Sequence, residues 1–298
     1  MRSRCSIPPV ELFKAIKDKD MQEAKRRDGD QQGQGLSRVV ATYDWAYNSN
    51  PKVEPDTPDK FWDVEMHRDE DGVWRMGPGQ VERRGYFDTD DDGAPLNPDA
   101  NPDYFCHPWN YQLKRPGGGK KSLSTNEVWA EAAHTINEVG STFSIQGFDL
   151  NYVGVIIGPS VKYRDGQIIF DKDASKNSKA TNMRDGSIDY SRENLRNELN
   201  VLLKRGVHGL YLFAVDPELQ RALKTAEAAG RGGRWNLKPN SRIRSACLVF
   251  GVSCWMCCVI RLVSQSPSHL MEVGVARPAT RRMGNDTEMG DDRCRAAG

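Results

Sequence analysis

The chain has 298 residues, with 42 lysines and arginines against 41 aspartates and glutamates, so its formal net charge is +1. This balance excludes a strongly basic nucleic-acid coat protein and an acidic disordered tail, and the composition excludes collagen, a coiled coil and a polytopic membrane protein. No secretory signal opens the sequence, and the 7 cysteines are odd in number and crowd its C-terminal end. The sequence therefore predicts an intracellular protein, cytoplasmic or nuclear, without a disulfide framework.

The first part of the chain is predicted to hold one helix and one strand before a long irregular insertion. Apolar residues recur at helical spacing over 9–27, opposite a highly charged face, which makes 1–35 an N-terminal helix and linker. The β-branched and aromatic residues at 38–47 predict a buried strand. The stretch 48–119 is rich in proline, glycine and aspartate, so we expect an irregular insertion there.

The second part of the chain alternates between strand and helix patterns. The apolar run at 151–159 is continuous, as in a parallel strand that is covered on both faces. This alternation predicts a three-layer α/β domain over 36–230, with a parallel sheet between two helical layers. We expect 231–298 to be a basic, cysteine-rich tail that is poorly ordered or results from an aberrant reading frame. The remaining predicted elements are helices at 126–140, 191–206 and 217–230 and a strand at 210–215.

Three segments partly match the sequence pattern of a ligand site or a membrane span, but none of them matches the full pattern. The glycine-rich run at 115–122 lacks the spacing and the preceding strand of a phosphate loop, so it is interpreted as a flexible basic turn. The acidic run at 88–99 matches only the first half of an EF-hand loop, because Asp99 stands where that loop needs a bidentate glutamate. The 15 uncharged residues at 246–260 are too few to span a bilayer, and a single C-x-x-C pair argues against zinc. The sequence thus predicts neither a metal site nor a membrane segment.

Two segments of the second part resemble a known helicase family. The run Gln146–Asp149 leads into the apolar strand, and a helix that ends near Arg205 and Gly206 precedes the next strand. These motifs resemble the Schlafen-like (group 3) DNA/RNA helicase domain family, whose members are related to superfamily 1 helicases. The resemblance covers about residues 36–225. Its further matches are the strand at 37–45, the pair Trp109-Asn110, Asn197 and Leu202.

The resemblance implies the second RecA-like lobe of a P-loop NTPase helicase. Such a lobe works with ATP, Mg²⁺ and a bound strand of DNA or RNA. A first RecA-like lobe, which carries the phosphate loop, is an implied partner that this chain lacks. No membrane partner is implied.

The resemblance also implies roles for individual residues. Arg205 is the implied arginine finger, because a guanidinium stays charged and its fork suits phosphate oxygens. A solvated cation at a helix end is the alternative for Arg205. A turn residue is the alternative for Gln146, and a surface salt bridge is the alternative for Arg38. The resemblance implies that Gln146, Gly147 and Arg38 contact the nucleotide. It implies that Ser144 and Asp149 couple the nucleotide to the nucleic acid.

Four positions depart from the family pattern. Phe143 stands where the family has histidine, and Ser144 where it has threonine. Leu199 stands where the family has tyrosine, and Lys204 where it has threonine. The sequence contains no G-x-x-x-x-G-K-[ST] segment, so we predict a fragment of an NTP-dependent DNA/RNA helicase or translocase that lacks the Walker A lobe and hydrolyses NTP poorly by itself. The alternative is a non-catalytic nucleic-acid or protein interaction module derived from a degenerate helicase lobe.

Overall fold

A parallel sheet of five strands lies at the centre of the residues that the computed structural model describes. Those residues are 2–5, 7–28, 35–47, 63–77, 79–80, 98–110, 128–182 and 188–231. Every neighbouring pair of strands in this sheet is parallel. In spatial order the strands are β1 (Arg2–Cys5), β10 (Gly206–Ala214), β7 (Leu150–Ile157), β2 (Arg38–Ala41) and β6 (Val139–Gly140).

Helices cover both faces of this sheet. Along β7, Val155 joins the apolar cluster of one face, whereas its neighbour Ile156 joins the cluster of the opposite face. Gly154 faces the first helix, and a Cβ at this position would lie 2.5 Å from Cδ2 of Leu12, so glycine lets that helix approach the strand. The predicted three-layer α/β fold with a parallel sheet is confirmed. The helices are α1 (Pro9–Asp28) on one face and α3 (Ser191–Leu203) and α4 (Pro217–Arg231) on the other.

A second, antiparallel sheet packs on the same face as α1. Its central strand β3 (Asp63–Arg68) pairs with β4 (Trp74–Met76) and β5 (Tyr104–Pro108). The ring of Trp74 meets the ring of Phe213 on β10 edge-on at 6.1 Å. These strands lie inside 48–119, for which the sequence predicts little regular structure. They are short, and their apolar side chains are buried against α1 and β10 rather than in a core of their own.

The prediction of a helix at 126–140 is wrong. Two short 3₁₀ turns, Trp129–Glu131 and Ala133–Asn137, precede β6 instead. The hydroxyl of Thr135 is 2.6 Å from the carbonyl of Trp129 and accepts a hydrogen bond of 3.0 Å from Nε of Arg38. Such bonds between side chains and backbone compete with the helical ladder, so the apolar spacing does not decide the local structure.

The carboxyl edge of the parallel sheet is closed by hydrogen bonds within the protein. The strand predicted at 38–47 ends at Ala41, because Thr42 and Asp44 turn toward β7. Oδ2 of Asp44 accepts hydrogen bonds of 3.0 Å from the Ser160 amide and the Thr42 hydroxyl. Burial raises the pKa of Asp44 to about 6. Open α/β sheets usually bind ligands at this edge. Here Thr42, Asp44 and Ser160 bond to one another, although Oδ1 of Asp44 is buried and has no hydrogen-bond partner among the described residues.

An aspartate that accepts hydrogen bonds from the protein also follows β10 at this edge. Asp216 caps α4 by accepting a hydrogen bond of 2.9 Å from the Leu219 amide. Its other oxygen accepts a hydrogen bond of 2.8 Å from Nη2 of Arg164, which belongs to a hairpin. Asp216 therefore fastens the hairpin to the end of the sheet. The hairpin consists of β8 (Val161–Arg164) and β9 (Gln167–Phe170), and the short helix α2 (Ser178–Thr181) follows it.

Several sequence predictions fall on other parts of the chain. The acidic run at 88–97, the glycine-rich run at 115–122 and the tail at 232–298 lie outside the described residues. Within the described ranges, no three histidine, cysteine, aspartate or glutamate side chains converge as metal ligands would. Every helix in those ranges is too short or too polar to serve as a membrane span.

Candidate functional site

A groove of about 740 Å³ runs along helix α3 and holds several of the predicted site residues. We call it the α3 groove. One wall is a stripe of α3 and its flanks, where lining residues recur at intervals of three or four: Tyr190, Asn194, Asn197, Val201 and Arg205. The facing wall is the loop 141–149, which joins β6 to β7. The 13 residues of α3 make the helix about 20 Å long, so the groove has two distinct ends.

The arginine end of the groove is formed by Gln146 and Arg205. Both residues lie just before central strands, and the Leu150 amide donates a hydrogen bond of 2.8 Å to the Arg205 carbonyl. Nη1 of Arg205 donates a hydrogen bond of 3.2 Å to the Phe148 carbonyl and lies 3.7 Å from Oδ1 of Asp149. Nε of Arg205 is buried and has no hydrogen-bond partner among the described residues. The guanidinium therefore keeps donors that an anion can use.

The other loop residues of the prediction support this end without lining it. Gly147 has a φ of +83°, a left-handed conformation that glycine adopts without strain, and it turns the loop after Gln146. Ser144 lines a second cleft of about 570 Å³. Its hydroxyl donates a hydrogen bond of 2.9 Å to Oδ1 of Asn110, so the predicted Trp109-Asn110 pair positions the loop.

Arg38 lies away from the α3 groove. Its side chain is buried, and Nε and Nη2 donate hydrogen bonds of 3.0 Å to the Thr135 hydroxyl and the Ala132 carbonyl. Nη1 lies 3.1 Å from Oδ1 of Asp20 on α1. Burial lowers the pKa of the Arg38 guanidinium, while the charge of Asp20 opposes that shift. All of these contacts tie β2 to its neighbours, and the structure does not bring Arg38 to Gln146 and Arg205.

The groove lining also includes Phe143, Lys179, Ile188 and Tyr190, and we call this set of residues the aromatic end. The Phe143 side chain is 50% exposed, and its ring meets the Tyr43 ring edge-on at 5.4 Å. Nζ of Lys179 lies 5.5 Å from the centroid of the Phe143 ring. Sequence reasoning noted Phe143 only as a departure from a family pattern and missed the other three. The available signal was the position of Tyr190 on the same helical stripe as Arg205.

Cations predominate along the groove and the second cleft. Lys176 and Lys179 line the second cleft, and Lys179 and Arg205 line the α3 groove. Glu198 also lines the α3 groove, but it accepts hydrogen bonds from the Tyr43 amide at 2.7 Å and from Nδ2 of Asn177 at 3.1 Å. Burial raises the pKa of Glu198. The two clefts therefore favour an anionic ligand.

Comparisons with known proteins find one matching family model and one matching curated protein. A family model described as Schlafen group 3, DNA/RNA helicase domain, matches residues 10–216, a range that includes both walls of the groove. The uncharacterized protein YPL245W of Saccharomyces cerevisiae is 43% identical over 102 residues, which are 32% of this chain and 22% of that protein. The chain thus matches about a fifth of the length of that curated relative. No solved structure matches the chain.

Proposed function

The chain belongs to the Schlafen group 3 DNA/RNA helicase domain family, and from that premise we propose that it is one lobe of an NTP-dependent helicase or translocase that acts on DNA or RNA. One observation carries the proposal. Gln146 and Arg205 come from two motifs that are far apart in sequence, yet both line the arginine end of one groove. A guanidinium and a carboxamide at one cleft edge suit the terminal phosphate of a nucleotide.

The donors at this end fit the nucleotide that the family implies. ATP with Mg²⁺ supplies the phosphoanhydride bond and a countercharge for its phosphates. Arg205 binds the terminal phosphate, because its Nε has no hydrogen-bond partner among the described residues. Its Nη1 contacts the Phe148 carbonyl at 3.2 Å and Oδ1 of Asp149 at 3.7 Å. As negative charge grows on the phosphate oxygens, the fixed positive charge of Arg205 stabilises it. Gln146 donates from its carboxamide and orients the same group.

The loop 141–149 connects this end to the nucleic acid. Asp149 lies beside Arg205, so a change in the position of the guanidinium alters the electrostatic field at Asp149. Ser144 lies further along the same loop and is held by Asn110. A displacement of the loop at Asp149 therefore reaches Ser144. We assign coupling between nucleotide and nucleic acid to these two residues.

Hydrolysis requires a partner lobe under this proposal. The sequence has no phosphate-loop segment, so a first RecA-like lobe has to cradle the β- and γ-phosphates. This chain then supplies the arginine finger in trans to that lobe. The competing function is a non-catalytic module that binds nucleic acid or protein through the same groove. Strand-stimulated hydrolysis separates the two functions.

The test is ATP hydrolysis by a protein that carries this chain together with a phosphate-loop lobe. We expect single-stranded DNA or RNA to stimulate hydrolysis, and Ser144→Ala to lower that stimulation about fivefold or more, because coupling between two sites is typically of this size. Thr225→Ala on the exposed face of α4 is the control for loss of a hydroxyl, and it should leave the stimulation unchanged. Absence of hydrolysis with and without strands would favour the interaction module.

A further inference from the structure

We infer that the aromatic end of the α3 groove is a stacking subsite for an unpaired base of single-stranded nucleic acid. The inference rests on the proposed function, because it takes DNA or RNA as the ligand. It adds the place where the strand is held and the side chains that hold it. It also separates this subsite from the nucleotide, which binds at the arginine end.

The first support is a cluster of exposed apolar side chains. Among the described residues, six large apolar side chains are 44% exposed or more. Three of them, Phe143, Ile188 and Tyr190, lie in one groove and are 50%, 53% and 56% exposed. Single exposed apolar residues need no explanation, but a cluster of them in a concave surface indicates a binding site.

The second support is the set of aromatic contacts that hold the Phe143 ring. Phe143 lines both the α3 groove and the second cleft, so it stands between two concave surfaces. Its ring rests edge-on against Tyr43, whose ring in turn packs against the buried Trp109 at 5.2 Å. An exposed ring on a rigid aromatic support is a stacking platform, and it accepts any base because every base has a π-face.

The third support is the charge around the ring. Lys176 and Lys179 line the second cleft, and no carboxylate is found among the described residues of that lining. The ammonium of Lys179 lies over the face of the Phe143 ring, 5.5 Å from its centroid. A base that stacks on this face displaces the ammonium, which can then pair with a phosphate of the same strand. Alternation of bases and phosphates at this spacing is the pattern of a single strand.

The polar lining excludes an apolar occupant. Asn182, Asn194 and Asn197 line the groove between or beside the aromatic side chains. Asn197 is exposed to water, and an apolar peptide or a lipid tail that covered it would leave its carboxamide without a hydrogen-bond partner. Carboxamides do match the donor and acceptor pairs on base edges. A nucleic-acid strand therefore satisfies the rings, the cations and the carboxamides together.

The test is strand binding by the full 298-residue chain without nucleotide. Fluorescence anisotropy is measured with labelled oligo(dT) and oligo(rU) of about 20 nucleotides, long enough to cover one groove. We expect Phe143→Ala and Tyr190→Ala each to weaken binding about tenfold to a hundredfold, and Phe143→Trp to retain it. Lys179→Ala should reduce the slope of log affinity against log salt by about 0.7, the value for one phosphate contact on a single strand. The two oligonucleotides show whether DNA or RNA is preferred.

A matched pair on α1 and β7 provides the control. Nζ of Lys19 lies 5.4 Å from the Tyr152 ring, and neither residue lines the two clefts. Lys19→Ala and Tyr152→Ala should leave strand affinity unchanged, with folding checked by circular dichroism. Wild-type affinity in folded Phe143→Ala and Tyr190→Ala overturns the inference, as does equal affinity for blunt duplexes. Neither result touches the effect of Arg205 on turnover, so failure of this subsite is distinguishable from failure of the proposed function.

Discussion

Replacement of Arg205 by alanine is expected to lower ATP turnover by about a thousandfold or more in a protein that joins this chain to a phosphate-loop lobe. The reason is the position of the guanidinium at the arginine end of the α3 groove. Its Nη1 makes one hydrogen bond of 3.2 Å and one ion pair of 3.7 Å with a largely exposed Asp149, and its buried Nε makes no hydrogen bond with the described residues. A buried hydrogen-bond donor without a partner costs free energy, so the Arg205 side chain loses few interactions when it moves to bind a phosphate.

Two further variants make this result specific. Lys204→Ala removes the neighbouring cation, which is exposed and does not line the groove, and it should leave turnover unchanged. Arg205→Lys keeps the charge but loses the planar fork, so we expect a partial loss. Steady-state hydrolysis at saturating ATP separates turnover from nucleotide affinity. If Arg205→Ala retains more than a tenth of wild-type turnover, Arg205 is not the arginine finger.

Replacement of Arg38 by alanine is expected to lower the free energy of unfolding by about 3–5 kcal/mol. Three partners lose their donor at once: the carboxylate of Asp20, the hydroxyl of Thr135 and the carbonyl of Ala132. The Arg38 side chain is 1% exposed, so water cannot replace these contacts without opening the structure. The loss is measured by urea unfolding of the full chain followed by circular dichroism.

An exposed ion pair of similar length serves as the control for Arg38. Arg68 lies 3.3 Å from Asp103, but both side chains are about half exposed. Arg68→Ala should therefore change the free energy of unfolding by less than about 1 kcal/mol. A stable Arg38→Ala protein that fails to bind nucleotide would contradict the structural role and restore Arg38 as a nucleotide contact.

The layered fold could be predicted from the sequence because its elements carry their own patterns. The continuous apolar run of β7 and the helical spacing in α3 are local signals, and both elements were predicted. The antiparallel sheet of β3, β4 and β5 was not predicted, because its short strands are buried by α1 and β10, which are distant in sequence. The segment before β6 was predicted as a helix, and the contact between Thr135 and Arg38 overrides that local preference.

The two ends of the groove differ in how far the sequence could predict them. Gln146 and Arg205 were brought together only by resemblance to a family, since no local pattern relates two residues so far apart. Tyr190 and Lys179 carry no motif, and tertiary packing brings them into the lining of one groove. Burial of Arg38 could not be predicted either, because its partners on α1 and the 3₁₀ turns are set by tertiary packing.

Amide chemical shifts of the isotopically labelled full chain, titrated with a single-stranded oligonucleotide, show directly which surface of the molecule is the functional site. We expect the largest shifts in the loop 141–149, in 176–182 and in 190–205, which together form the walls of the α3 groove. Shifts centred on the carboxyl ends of β7 and β10, around Gly158 and Asp216, would contradict this assignment. So would the absence of any shift at strand concentrations that saturate single-strand binding by the same chain.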